Sequence, residues 1–139
     1  MANDLDGVTH AIVCPQPWAS ITVEGPRTFH NLDHRPPSTF LGMKVAVLAA
    51  AKPDTATAGQ AIELLDAEGF DRAKRATWTT RKTFGAIIGT AVVVGIVSEN
   101  LDPWFIGPYA FQLERRMPLA TPVAPAEPCT RKGGIWRLP

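Results

Sequence analysis

The apolar residues of this chain are grouped in short runs, which are separated by prolines, glycines and polar turns. Residues 8–14, 44–50 and 85–97 are rich in Val, Ile or Ala, and such runs are typical of buried strands. Residues 109–114 alternate aromatic or aliphatic with polar side chains, which predicts a half-buried antiparallel strand. We expect a last strand or turn over residues 133–138.

Two helices are predicted, both in the first half of the chain. Residues 17–24 begin with a proline, whose missing N–H costs nothing in a first helical turn, and Gly25 is a natural end. Residues 57–68 carry apolar side chains at helical spacing and end before Gly69. We interpret residues 70–83, which are charged and rich in Thr, as an exposed connection.

This order of elements predicts a mixed α+β domain with a curled or closed sheet. The length of 139 residues suits one core, and thirteen Pro with eleven Gly argue against a helical bundle. We expect a flexible N-terminus over residues 1–7 and one domain over residues 8–139. Residues 27–31 are a short polar strand or turn, and residues 118–128 are Pro-rich and extended.

Charge is divided unevenly along the chain. Residues 1–71 contain nine acidic and four basic side chains, whereas residues 72–139 contain ten basic and four acidic ones. A basic face of this kind attracts phosphates. The alternative is that folding mixes the two halves into an ordinary surface.

The remaining composition excludes several classes of protein. Cys14 and Cys129 lack metal-ligand spacing, so we expect no metal or cofactor; two reduced thiols are favoured, with one disulfide as the open alternative. The N-terminus has no signal-peptide pattern, and the most apolar run, residues 85–97, is shorter than the roughly 20 residues of a membrane helix. We therefore expect a cytoplasmic protein without membrane contact, as a monomer or weak dimer.

Three segments, in order, resemble the ASCH domain family. They are Gln-Pro-Trp-Ala-Ser-Ile at 16–21 with Gly-Pro-Arg-Thr at 25–28, Gly-Ala-Ile-Ile-Gly at 85–89, and Pro-Trp-Phe-Ile-Gly-Pro-Tyr at 103–109 with the closing residues 133–139. The resemblance implies a small PUA-like mixed β-barrel, with helices packed near the barrel mouth. It also implies a cleft for RNA or a nucleotide. Some members look like hydrolases of N4-acetylated cytidine or like ribonucleases.

The sequence departs from the family pattern where chemistry would lie. Arg27 stands where the Gly-x-Lys-x-x-Glu motif has Lys, and His30 stands where it has Glu. Arginine stays protonated and cannot act as a general base, but its fork binds phosphate or a carbonyl. His30 is the one candidate for acid–base catalysis, or else forms a hydrogen-bonding wall.

We therefore predict a nucleotide- or single-stranded-RNA-binding domain that grips a base or phosphate at the barrel mouth. The alternatives are a hydrolase acting on a modified nucleoside or on RNA, and a protein-interaction module that uses residues 118–128. Trp18 is either a stacking platform or core, and Trp104 is the aromatic residue most expected to face a ligand. The predicted binding residues are Gln16, Trp18, Arg27, His30, Lys44, Lys52, Trp104 and Tyr109.

Overall fold

A computed structural model describes residues 4–131 and 133–139. Six strands form one sheet in the order β2-β5-β4-β3-β1-β6, an open half-barrel with three helices. The elements are β1 (His10–Cys14), α1 (Trp18–Glu24), β2 (Phe29–Leu32), a 3-10 turn (Ser38–Phe40), β3 (Lys44–Ala49), α2 (Ala58–Ala67), α3 (Arg72–Thr79), β4 (Ala86–Val97), β5 (Tyr109–Val123) and β6 (Gly134–Arg137). The predicted α+β class is confirmed.

The parallel pairing of β1 with β3 brings together segments that line the candidate functional site. These two strands are parallel, while the other pairs in the sheet are antiparallel. Their carboxyl ends therefore meet, and the Ala50 N–H donates to the Cys14 carbonyl at 2.9 Å. The Asp54 N–H likewise donates to the Gln16 carbonyl at 2.9 Å. The start of α2 is thereby held against the turn between β1 and α1.

Helix α1 packs on the sheet at a point where only glycine fits. Val23 belongs to the main core cluster, and it faces Gly89 of β4. A Cβ atom added to Gly89 would lie 2.6 Å from both Val23 Cγ1 and the Met117 carbonyl oxygen. Real Cβ atoms do not approach that closely, so the missing side chain sets the depth of α1 against β4 and β5.

The structure corrects the interpretation of residues 70–83 as an exposed connection. Residues Arg72–Thr79 form α3, whose N-terminus is capped by Asp71, since Oδ1 accepts from the Lys74 N–H at 2.8 Å. Trp78 of this helix is buried and meets Phe70 edge to face. A cap and one aromatic anchor thus fold a segment that has little apolar periodicity.

Strand β5 is longer than predicted and runs to Val123. The first part of the predicted extended segment 118–128 is therefore paired with β4, where Pro118 lies opposite Gly89. Residues 1–3 of the predicted flexible segment 1–7 lie outside the described residues. Within the described part of that segment, Leu5 packs against a core cluster that contains Val13.

Both cysteines are free thiols in the structure. Cys14 is buried and Cys129 is half-buried.

Within residues 4–131 and 133–139, each helix is too short or too polar to serve as a bilayer span.

Candidate functional site

A cavity of about 270 Å³ opens at the carboxyl end of β1, between the two edges of the half-barrel. Strand β2 and the residues before it form one wall, β6 and the residue before it form another, and α1 and α2 contribute their first turns. The lining residues are Val13, Cys14, Pro15, Trp18, Arg27, His30, Asn31, Asp54, Thr57, Gln60, Ile106, Gly133 and Gly134.

The dominant charge in this cavity is Arg27, which is only 6% exposed. One terminal nitrogen, Nη1, donates to Thr22 Oγ1 at 2.6 Å and reaches Cys14 Sγ at 3.8 Å. Its Nε atom is buried and has no hydrogen-bond partner within the described ranges. None of the ion pairs between described residues includes Arg27. A buried guanidinium without a counter-charge is costly, so this cavity favours a ligand that brings an anion or acceptor.

Trp18 supports this guanidinium. The Arg27 Cζ atom lies 5.5 Å from the centre of the Trp18 ring, which is a cation–π contact. The Trp18 Nε1–H donates to Thr57 Oγ1 at 2.9 Å, and the ring meets Trp104 edge to face at 6.2 Å. One face of Trp18 is therefore taken by Arg27, and the indole is at once cavity wall and core.

His30 joins the two open edges of the half-barrel. Its Nε2 lies 3.1 Å from the carbonyl oxygen of Gly134, so β2 is connected by a side chain to β6. A carbonyl only accepts, so Nε2 carries the proton, and Nδ1 accepts from the Cys14 thiol at 3.4 Å. One hydrogen-bond chain thus runs from Arg27 through Cys14 and His30 to the Gly134 carbonyl.

Burial keeps Cys14 and His30, the two middle groups of this hydrogen-bond chain, uncharged. Desolvation, aided by the nearby charge of Arg27, lowers the pKa of His30 to about 3, although the bond to Gly134 opposes this. Burial raises the pKa of Cys14 above its ordinary value, although Arg27 opposes this. Near neutral pH, His30 is therefore an uncharged imidazole with both nitrogens occupied, and Cys14 is a thiol.

The rim of the cavity is polar and tightly bonded. Asp54 accepts from the Thr57 N–H at 3.0 Å and from the Thr57 hydroxyl at 2.5 Å. Asn31 donates to the Trp104 carbonyl and accepts from the N–H groups of Ile106 and Gly107, at 2.9–3.1 Å. These bonds hold the loop before β5, so the half-exposed side chain of Ile106 stands at the cavity mouth.

Of the eight predicted binding residues, Trp18, Arg27 and His30 line the cavity. Lys52 lies in an adjoining depression. Lys44 is exposed at the start of β3, the end remote from the cavity. Tyr109 packs against the main core cluster.

Two predicted residues have structural partners outside the cavity. The Gln16 amide donates to the Thr83 carbonyl at 3.2 Å and accepts from the Ser20 N–H at 3.0 Å. Trp104, expected to face a ligand, is 1% exposed, and its Nε1–H donates to Glu68 Oε1. Its ring packs in the core cluster that also contains Trp18 and Leu65.

Sequence reasoning missed Cys14, Asn31, Thr57 and Gly134. Their partners are distant along the chain: Gly134 is 104 positions from His30, and Thr57 is 39 positions from Trp18. Local spacing contains no signal for such pairs. Among the described residues, no group of three or more His, Cys, Asp or Glu side chains could hold a metal ion.

Comparison with known proteins gives a match in structure alone. No protein-family model and no curated protein matches this chain. The crystal structure of ASCH from Zymomonas mobilis matches with a TM-score of 0.54 and 14% identity, over 94% of this chain and 87% of that one. The fold is ASCH-like. The α+β architecture was therefore predicted from the sequence. The ASCH-like segments include Trp18 and Arg27 of the cavity lining, and also Ile106 and Gly134, which were not among the predicted binding residues.

Proposed function

We propose that this chain binds a nucleotide or single-stranded RNA, and that Arg27 donates hydrogen bonds to a phosphate or base oxygen inside the cavity. One observation carries the proposal. Arg27 is a buried cation in a cavity, with an unpartnered Nε–H and no carboxylate bonded to it among the described residues. An anionic group of the ligand in the cavity would supply the ion-pair partner that Arg27 lacks.

The size of the cavity supports a small group. Ligand pockets span roughly 300–1,000 Å³, and the cavity volume of about 270 Å³ lies just below that range. One phosphate or one base fits such a volume better than a whole nucleotide. Charge-assisted, forked bonds from arginine are the strong ones in phosphate recognition. The motifs shared with the ASCH family favour RNA among the possible anions.

The same geometry supports binding over hydrolysis. Arg27 stays protonated and cannot accept a proton. His30 is uncharged near neutral pH because its pKa is about 3, and both of its nitrogens are occupied. A general acid or base needs a titratable group that reaches the substrate. His30 instead braces the wall beside Arg27.

The test is fluorescence anisotropy with labelled single-stranded RNA and with nucleotides as competitors, at low and high salt. Arg27→Met removes every donor at similar volume, and we expect at least about tenfold weaker binding. Arg27→Lys keeps the charge but loses the fork, so we expect an intermediate affinity. Arg72→Met, at an exposed position on α3, is the matched control and should bind like wild type.

Stability measurements separate lost binding from lost folding. Arg27→Met removes a buried charge that has no counter-charge, so we expect it to resist urea at least as well as wild type. Equal RNA affinity of wild type and Arg27→Met, or no binding of RNA and nucleotides by wild type at low salt, would refute the proposal.

A further inference from the structure

A second, larger depression adjoins the Arg27 cavity. We name it the Lys52 depression; it has a volume of about 650 Å³ and is lined by Pro15, Ala50, Ala51, Lys52, Pro53, Asp54, Pro128, Cys129, Thr130 and Arg131. Pro15 and Asp54 belong to both hollows, so one thin wall separates them. A ligand whose end occupies the cavity can therefore extend across this wall without leaving the surface.

Two cations flank the Lys52 depression. Lys52 and Arg131 are both exposed, and neither takes part in an ion pair with any part of the chain that the structure describes. Arg131 donates through Nη1 to the Ile135 carbonyl, a bond that leaves its charge uncompensated. The lining contains one carboxylate, Asp54, whose bonds from Thr57 leave its charge in place, so the two cations outnumber it. The depression thus presents free positive charge beside the cavity.

On the other side, a third hollow of about 440 Å³ shares Asn31, Gly133 and Gly134 with the cavity. It also contains Arg131, but here Asp33 lies at the surface and bonds to His34 at 2.6 Å. There Asp33 offsets the charge of Arg131, whereas in the Lys52 depression two cations, Lys52 and Arg131, stand against the single carboxylate of Asp54. Electrostatic attraction therefore favours a polyanion that extends from the cavity toward Lys52 and Arg131.

We infer that the chain binds an RNA strand of several nucleotides, with one phosphate or base in the Arg27 cavity and a neighbouring phosphate between Lys52 and Arg131. This rests on the proposed function and adds a second subsite to it. Backbone phosphates along a positive groove are the usual basis of single-strand binding. Each phosphate contact adds about 0.7 to the slope of log affinity against log salt.

The test compares ribonucleoside 5′-monophosphates with 5′-phosphorylated pentaribonucleotides of mixed sequence, by competition against a labelled RNA. We expect the pentanucleotides to bind at least about tenfold more tightly, with a steeper salt dependence. The double variant Lys52→Gln/Arg131→Gln should lose this gain and bind monophosphates like wild type. Arg72→Gln/Lys82→Gln, which changes two exposed cations outside all three hollows, should keep the gain.

Cys129 supplies an independent readout, because it lines the Lys52 depression as a free, half-buried thiol. Saturating pentanucleotide should slow its alkylation, and saturating monophosphate should not. Cys14 is buried in the Arg27 cavity, and its background rate of alkylation is measured in the Cys129→Ser variant.

The outcomes separate the two proposals. If monophosphates bind through Arg27 but pentanucleotides bind no more tightly, the second subsite is overturned and the first remains. The same conclusion follows if the tighter binding of pentanucleotides persists in the Lys52→Gln/Arg131→Gln variant. Failure of both ligands to bind would remove both proposals.

Discussion

At the residue scale, the cavity depends on a chain of buried polar groups rather than on a catalytic set. Arg27 is held by Thr22 and Trp18, and burial, together with the charge of Arg27, lowers the pKa of His30. His30 in turn joins Cys14 to the Gly134 carbonyl. Each group fixes the next, so the guanidinium of Arg27 is held in place before a ligand arrives.

His30 makes folding stability depend on pH. Its pKa is about 3 in the folded chain against an ordinary 6.5, so between these values only the unfolded chain takes up the proton. Stability is therefore full above about pH 6.5 and falls by about 1.4 kcal/mol per pH unit toward pH 3. His30→Gln lacks this contribution, so urea titrations from pH 7 to 4 should show a flatter dependence than wild type.

Carboxylates contribute alike to wild type and His30→Gln and cancel in the comparison. Parallel curves for wild type and His30→Gln between pH 6 and 4 would contradict the neutral, buried state of His30.

At the element scale, Arg116 ties strand β5 to the end of helix α1. Its Nη1 atom donates to the carbonyl oxygens of Thr22, Gly25 and Arg27. Partial burial lowers the pKa of Arg116 from its ordinary value. A cation at a helix C-terminus also complements the helix dipole. The backbone of Arg27 is therefore fixed from β5.

Replacing Arg116 should affect both folding and binding. Bonds from a charged donor contribute about 1.5–3 kcal/mol, so we expect Arg116→Met to lower the free energy of unfolding by that order. RNA affinity should fall as well, because the Arg27 carbonyl loses its anchor, and Arg116→Lys should recover part of both. Urea denaturation and anisotropy check this against Arg72→Met. Wild-type stability together with wild-type affinity would contradict the role.

Helix α3 shows why local sequence was insufficient for one element. Apolar periodicity identified the segment of α2, Pro17 and Gly25 identified that of α1, and a run of Val and Ile identified that of β4. In α3 the pattern is charged, and the helix depends on the Asp71 cap and on Trp78 against Phe70. A cap residue that precedes such a segment is the signal that was overlooked.

At the scale of the whole molecule, the half-barrel brings together residues from distant parts of the chain. The resemblance to ASCH motifs located Trp18, Arg27 and His30. It did not reveal Cys14, Thr57 or Gly134, whose positions depend on how β1, α2 and β6 pack around β2. Trp104 was expected at the ligand, and the fold buries it against Trp18.

Two glycines test how the layers are joined. Gly89→Ala should lower the free energy of unfolding by at least about 1–3 kcal/mol, because the new Cβ overlaps the Met117 carbonyl and Val23. Gly59→Ala, in helix α2 with open space around it, should raise it by about 0.5–1 kcal/mol. Urea denaturation of the pair checks this. Gly89→Ala as stable as wild type would contradict the close contact of α1 with β4.

The central claim is that the Arg27 guanidinium receives the ligand, and the most direct measurement is a ¹H–¹⁵N spectrum of the arginine Nε–H groups. The Arg27 signal is identified by its loss in Arg27→Lys. We predict that adding RNA or a nucleotide moves this signal, since an anionic group comes to lie beside the guanidinium that carries this Nε–H, and that the shift saturates with the anisotropy curve. An Arg27 signal that stays unmoved at saturating ligand would contradict the claim.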